Sequence, residues 1–112
     1  RRIGIQGTAH ACGTLVTGAD PARSIVDPDG NAWFYESGNV GLATSGSGDT
    51  LAGVVAGLVA RGAEPAQATI WAVYLHGQAG NRLARSRGPM GFLARELLAE
   101  IPGIMAELAP AR

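Results

Sequence analysis

Two hydrophobic periods divide the chain. Near the start, Thr14, Leu15, Val16 and Thr17 form a short β-prone run ending at Gly18, and Ser24, Ile25 and Val26 form another. The turn Asp27-Pro28-Asp29-Gly30-Asn31 follows, and Ala32 to Glu36, with Trp33, Phe34 and Tyr35, returns as a second arm. Proline presets the turn's φ and the glycine two residues later relaxes it, so the spacing predicts a β-hairpin whose aromatic trio packs a sheet face. Small polar residues and glycines from Ser37 to Ser47 then read as a loop.

Beyond this loop the period becomes helical. Leu51, Val54, Val55, Leu58 and Val59, closed by Gly62, predict a buried helix over Asp49 to Arg61, with Gly53 and Gly57 one turn apart and open to a close neighbour. Pro65 opens a second helix whose apolar side carries Ile70, Val73, Tyr74 and Gly77. It runs to about Ser86, where Arg82, Arg85 and Arg87 suit the negative end of the macrodipole, and Gly88-Pro89 stops it. Leu93, Leu97 and Leu98 mark a third helix from Phe92 to Glu100, and a last one follows Pro102 to Leu108.

Composition narrows the function. A chain of 112 residues is the size of one domain or of half a larger α/β domain, and no repeat or low-complexity tract marks an internal boundary. The opening Arg1-Arg2-Ile3-Gly4 has no initiating methionine, so an N-terminally truncated domain is expected. Nine basic residues balance nine acidic ones, which argues against broad electrostatic capture of nucleic acid or of an anionic membrane; an anion would need a local site. The single Cys12 makes no internal disulfide and fits a reducing cytoplasm. Apolar runs are broken before reaching about 18 residues, so no membrane span is expected.

That local site is suggested by Ala43 to Gly53, ATSGSGDTLAG. Gly46 and Gly48 let the backbone turn, so the N–H groups of residues 46 to 49 can join the unpaired donors of the new helix and hold an anion. Asp49 admits two readings. Ser47 or Asp49 can serve as a helix cap or first-turn acid. Alternatively the carboxylate accepts a proton from a substrate hydroxyl attacking a phosphoryl group, while the amides stabilise the phosphate charge. No Walker loop is present, because no lysine follows the second glycine, and Leu51 stands where a dinucleotide fingerprint has its third glycine.

SGNVGLATSGSGDTLAGVVAGL (residues 37–58), YLHGQAG (74–80) and GPMGFLARELLAEIP (88–102) resemble, in order and spacing, the ADP-dependent NAD(P)H-hydrate dehydratases of the ribokinase-like superfamily. The resemblance spans roughly the last ninety residues. It implies an α/β ribokinase-like fold, of which this chain is the C-terminal half, with short strands and a hairpin followed by helices: a partial nucleotide-binding and catalytic domain over residues 1–112. It also implies repair of hydrated NADH or NADPH with ADP or ATP as phosphoryl donor and Mg2+ as its companion ion; a homo-oligomer is compatible with it. The matching roles are phosphate contact by Gly46, Ser47 and Gly48, and substrate contact and acid/base work by Asp49. Adenine nucleotide contact falls to Thr17, Gly18 and Ala19, with Thr17 standing where the family has lysine. The same loop also suits a superfamily kinase acting on hydroxymethylpyrimidine or a sugar, and a nucleotide-binding remnant without catalysis is the reading from another class.

The remaining chemistry-bearing residues read as structural. His76 lies inside an apolar helix, where a histidine bonded to a nearby carbonyl is the commoner case, and His10 and Cys12 have no third metal ligand beside them. Trp71 and Tyr74 share a helical face and suit a core. Arg82, Arg85 and Arg87 suit a solvated helix end.

Overall fold

The computed structural model describes residues 35–110. By its contacts the chain divides into Arg1–Phe34 and Tyr35–Arg112, and the described residues belong to the second unit. They form a 3₁₀ turn, Val40–Ala43, followed by α1 (Ser47–Ala60), α2 (Pro65–Arg87) and α3 (Ala94–Leu108). The expected early strands and most of the hairpin lie outside the described residues. Tyr35 and Glu36, the end of the expected second arm, carry no strand, and no strand occurs among the described residues.

α2 is the central element, packing against α1, α3 and the 3₁₀ turn. Its entry and exit follow from local chemistry. The Glu64 carboxylate accepts the N–H groups of Ala66 at 3.1 Å and Gln67 at 3.2 Å, satisfying two otherwise orphan donors. Pro65 starts the helix, and Gly88 ends it ahead of Pro89. Ala68, Ala72, Leu75, Ala79 and Leu83 recur every three or four residues and are buried, so one narrow face of mostly small side chains meets the neighbours. Leu75 and Leu83 join Phe92 and, from α3, Leu97, Ile101 and Ile104 in the core. Burial of side chains such as Leu75 and Leu97 stabilises the packing by about 1.5–3 kcal/mol each.

Close approach on this face needs residues without a Cβ. At Gly77 a methyl group would overlap the ring of Tyr35, and at Gly80 it would overlap Leu42 of the 3₁₀ turn. Gly41, on the turn itself, leaves room for Pro89 and the Phe92 ring. Thus residues 35–43 lie along α2, and the loop expected over 37–47 contains the 3₁₀ turn Val40–Ala43.

Other expectations need correcting. α1 begins two residues earlier than predicted, and only Ser47 on it is buried; Leu51, Val54, Val55 and Leu58 are partly covered, and Val59 is exposed. No described atom comes close to a Cβ placed at Gly53 or Gly57, so these glycines do not admit a close neighbour among the described residues. The end of α1 follows prediction: Gly62, at φ +98°, donates to the Val59 carbonyl at 2.9 Å and Ala63 donates to Leu58 at 3.1 Å, a Schellman termination. Trp71 is 41% exposed, so the Trp71–Tyr74 pair, in edge contact at 6.3 Å, does not sit in the core.

The two short helices expected either side of Pro102 are one helix, α3. Proline removes one backbone bond, but Pro102 and Leu98, whose carbonyl loses that donor, are both exposed, where water can replace it. Leu97, Ile101 and Ile104 hold the helix straight through on the buried side. Glu96 accepts the Leu93 N–H at 2.8 Å at its start and pairs with Arg87; Arg82 pairs with Glu107. Two of the three arginines expected at a solvated helix end therefore tie α2 to α3, each pair joining a partly covered residue to an exposed one and contributing at most about 1 kcal/mol. None of the described helices is long and apolar enough to cross a membrane.

Opposite outcomes are expected for two alanine substitutions. Gly77→Ala, despite the better helix propensity of alanine, should destabilise by about 1–3 kcal/mol because the Tyr35 ring must move, whereas Pro102→Ala should stabilise by up to about 3 kcal/mol by restoring a helical bond. Urea unfolding of the two variants checks both signs.

Candidate functional site

The site is the bend that leads into α1, and its position is set from α2. Asn39 donates through Nδ2 to Asn81 Oδ1 at 3.0 Å, and Asn81 donates through Nδ2 to Ser37 Oγ at 3.0 Å. Gln78 donates to the Tyr35 hydroxyl at 3.2 Å. These bonds, with Leu42 seated at Gly80, fix the chain just before the bend on a rigid helix.

Thr44 then turns the chain. Its carbonyl accepts the Ser47 N–H at 3.2 Å, and Gly46 takes φ +85°, a left-handed conformation that side chains disfavour. The Thr50 N–H and hydroxyl both return to the Gly46 carbonyl, at 3.0 and 3.1 Å. Among the described residues no carbonyl accepts from the N–H of Gly46, Gly48 or Asp49. Gly46, Gly48 and Asp49 are exposed. The expectation that all four amides of residues 46–49 converge on an anion is thereby corrected at one position: the Ser47 amide is already spent, so the donors available are those of Gly46, Gly48 and Asp49.

Ser47 is instead held from the other side. It is buried, and His76 of α2, also buried, places Nε2 3.0 Å from the Ser47 carbonyl oxygen and 2.9 Å from Ser47 Oγ. A carbonyl oxygen only accepts, so the hydrogen sits on Nε2 and is shared between the two oxygens of one residue. Burial pushes the His76 pKa below its ordinary 6.5, and the bond to the Ser47 backbone opposes that shift without cancelling it.

The sequence residues proposed for chemistry thus separate into two groups. Gly46, Ser47, Gly48 and Asp49 come together at the first turn of α1, with Asp49 exposed in that turn. Thr17, Gly18 and Ala19, like His10 and Cys12, lie outside the described residues. Among the described residues no group of three His, Cys, Asp or Glu side chains could hold a metal ion. Sequence reasoning assigned His76 a structural bond without naming its partner. The signal was partial: an imidazole in an apolar helix demands an acceptor, but its acceptor is 29 residues away and visible only in three dimensions.

Comparison with known proteins places this bend in a family. The NAD(P)H-hydrate dehydratase family profile matches residues 5–103, and the chain belongs to that family, which is ribokinase-like. The ADP-dependent (S)-NAD(P)H-hydrate dehydratase of Xanthomonas campestris pv. campestris is 49% identical over 94 residues, covering 84% of this chain and 32% of that protein. The bifunctional NAD(P)H-hydrate repair enzyme Nnr of Moorella thermoacetica is 42% identical over 88 residues, covering 78% of this chain and 17% of that protein. The Bacillus subtilis ADP-dependent (S)-NAD(P)H-hydrate dehydratase is 36% identical over 80 residues, covering 71% and 29% respectively. The chain therefore spans a third or less of the length of these relatives. No solved structure matches it.

The depressed His76 pKa makes stability depend on pH in a defined direction. Above 6.5 the ring is neutral in both folded and unfolded chains; as pH falls below 6.5 the unfolded chain takes up the proton first, so the stability of the neutral, buried ring is lost towards the lower folded value. An imidazole NMR titration should give a midpoint for His76 below 6.5, and thermal stability should fall across that interval less steeply in His76→Gln. A midpoint above 6.5 contradicts this.

Proposed function

We propose that the chain supplies the phosphoryl-transfer loop of an ADP-dependent NAD(P)H-hydrate dehydratase, within a ribokinase-like α/β domain in which short strands and a hairpin precede the helices. The observation that carries this reading is the juxtaposition at the start of α1: amides of Gly46, Gly48 and Asp49 with no acceptor among the described residues, beside an exposed carboxylate in the same turn. The names of the relatives support the substrate and the nucleotide.

The chemistry follows from what each group can do. A terminal phosphoryl group of ADP rests on the three amides, which gain charge-assisted bonds and the positive end of the helix dipole. Asp49 contacts the hydrated substrate and accepts the proton of its hydroxyl as that oxygen attacks phosphorus and the bond to the bridging oxygen of AMP breaks. The resulting phosphate ester then leaves as inorganic phosphate with loss of a ring proton, restoring the double bond. In sum, hydrated NAD(P)H and ADP give NAD(P)H, AMP and phosphate. A carboxylate beside a phosphate is electrostatically unfavourable, so a loop serving only to bind anions would not place Asp49 there; proton transfer gives it a reason.

Ser47 serves this loop by shaping it, with its own amide and side chain engaged elsewhere. Thr17, Gly18 and Ala19 belong to the same reading as adenine nucleotide contacts, with threonine replacing a family lysine. Mg2+ belongs to this reading as the companion of the nucleotide phosphates, whose charge it would neutralise.

A chimera tests the proposal: this chain replaces the matching segment of the Xanthomonas protein, and hydrated NADH is supplied with ADP. NADH and AMP should form, and Asp49→Asn should lower kcat by about a hundredfold or more while ADP binding survives, as expected on removing a general base. A stable phosphorylated alcohol instead of NADH would assign a kinase, and unchanged turnover by Asp49→Asn would remove the carboxylate from the mechanism.

A further inference from the structure

We infer that His76 is a positioning residue for phosphoryl transfer, setting the direction of the Gly48 amide through the Ser47 carbonyl. The inference rests on the proposed role of the loop, but its geometric part stands on observed contacts. The Ser47 carbonyl and the Gly48 N–H belong to one planar peptide unit and point in opposite directions across it. Ser47 is the first residue of α1, so its carbonyl also faces the helical ladder; a donor that holds this carbonyl from α2 also holds the orientation of the Gly48 amide across the same peptide plane, at a residue that is exposed while Ser47 and His76 are buried.

The sequence around it gives this tie, added to the helical bonding of α1, a purpose. Ser47 is flanked by Gly46 and Gly48, the residues with most backbone freedom to lose, and an anion hole works only if its donors are already oriented. The Ser47 amide is tied to Thr44, and His76 ties both its carbonyl and its hydroxyl oxygen. The imidazole is itself rigidly carried, since Leu75, Gly77, Ala79 and Gly80 around it on α2 are all buried. Asp49 is the next residue after that peptide unit, so a tilt of the Ser47–Gly48 plane would move the carboxylate as well as the amide.

Two polar substitutions of different reach separate this role from a merely structural one. The terminal N–H of His76→Gln can reach the position of Nε2, whereas that of His76→Asn stops near the position of Nδ1. In the ligand-free chain the backbone order parameter of Gly48 should stay near the rigid value of about 0.85 with glutamine and fall below about 0.6 with asparagine. In the chimera with the Xanthomonas protein, asparagine should lower kcat about tenfold, the equivalent of one lost oriented hydrogen bond, with little change in the KM for hydrated substrate, and glutamine should restore it.

Equal behaviour of the two variants, or a rigid Gly48 in His76→Asn, overturns the inference. Should both variants unfold, imidazole nitrogen spectra of the unsubstituted chain decide: hydrogen on Nε2 is required, and a ring protonated only at Nδ1 refutes the tie. If the parent chimera forms no NADH, the functional reading fails, while the Gly48 order parameter still judges the geometry independently.

Discussion

The described structure depends on how closely other segments approach α2. Its buried face is built from alanines and glycines with Leu75 and Leu83 between them, so Tyr35 and the 3₁₀ turn lie within van der Waals contact of its backbone while α3 packs on the two leucines. A wider face would push residues 35–43 outward and carry the bend before Ser47 with them. The same helix supplies His76, whose bond to Ser47 is the buried polar link between α2 and the first turn of α1. Packing and the orientation of the loop are therefore one constraint: the close fit that excludes Cβ atoms also brings an imidazole to hydrogen-bonding distance of the residue between two glycines.

Much of the helical architecture was legible from periodicity. Gly62 and Gly88-Pro89 ended the first two helices where expected, because a glycine past the last turn and a proline beyond it act locally. Errors arose where solvent or tertiary contact decides. Pro102 looked like a break in the sequence, yet its lost bond faces water and three buried residues on the other side carry the helix through it. α1 carries an apolar pattern but is only partly covered among the described residues, since periodicity shows which face is apolar and not what covers it. Trp71 failed as a core residue for the same reason.

The loop was legible in outline and not in detail. Glycines at positions 46 and 48 and the acid at 49 announced a bend with free amides, which is a property of local backbone chemistry. That the Ser47 amide would turn back to Thr44, and that its carbonyl would meet His76, required the fold. Asn39 and Asn81, which fasten the approach to the loop, gave no sign in the sequence either, because neither residue type nor a separation of 42 positions distinguishes them from surface amides. Family membership rests on a longer pattern than the loop, covering residues 5–103, and is the more secure for it.

The central claim is that three particular amides, and not a general basic surface, receive the phosphate. A nitrogen-resolved NMR titration of the chain with ADP tests it most directly, since each amide reports separately. The Gly46, Gly48 and Asp49 amides should shift together on binding while the Ser47 amide, already bonded to Thr44, shifts least among the four. A shift centred on Ser47, or a response confined to the arginines of α2 with residues 46–49 unmoved, would contradict it.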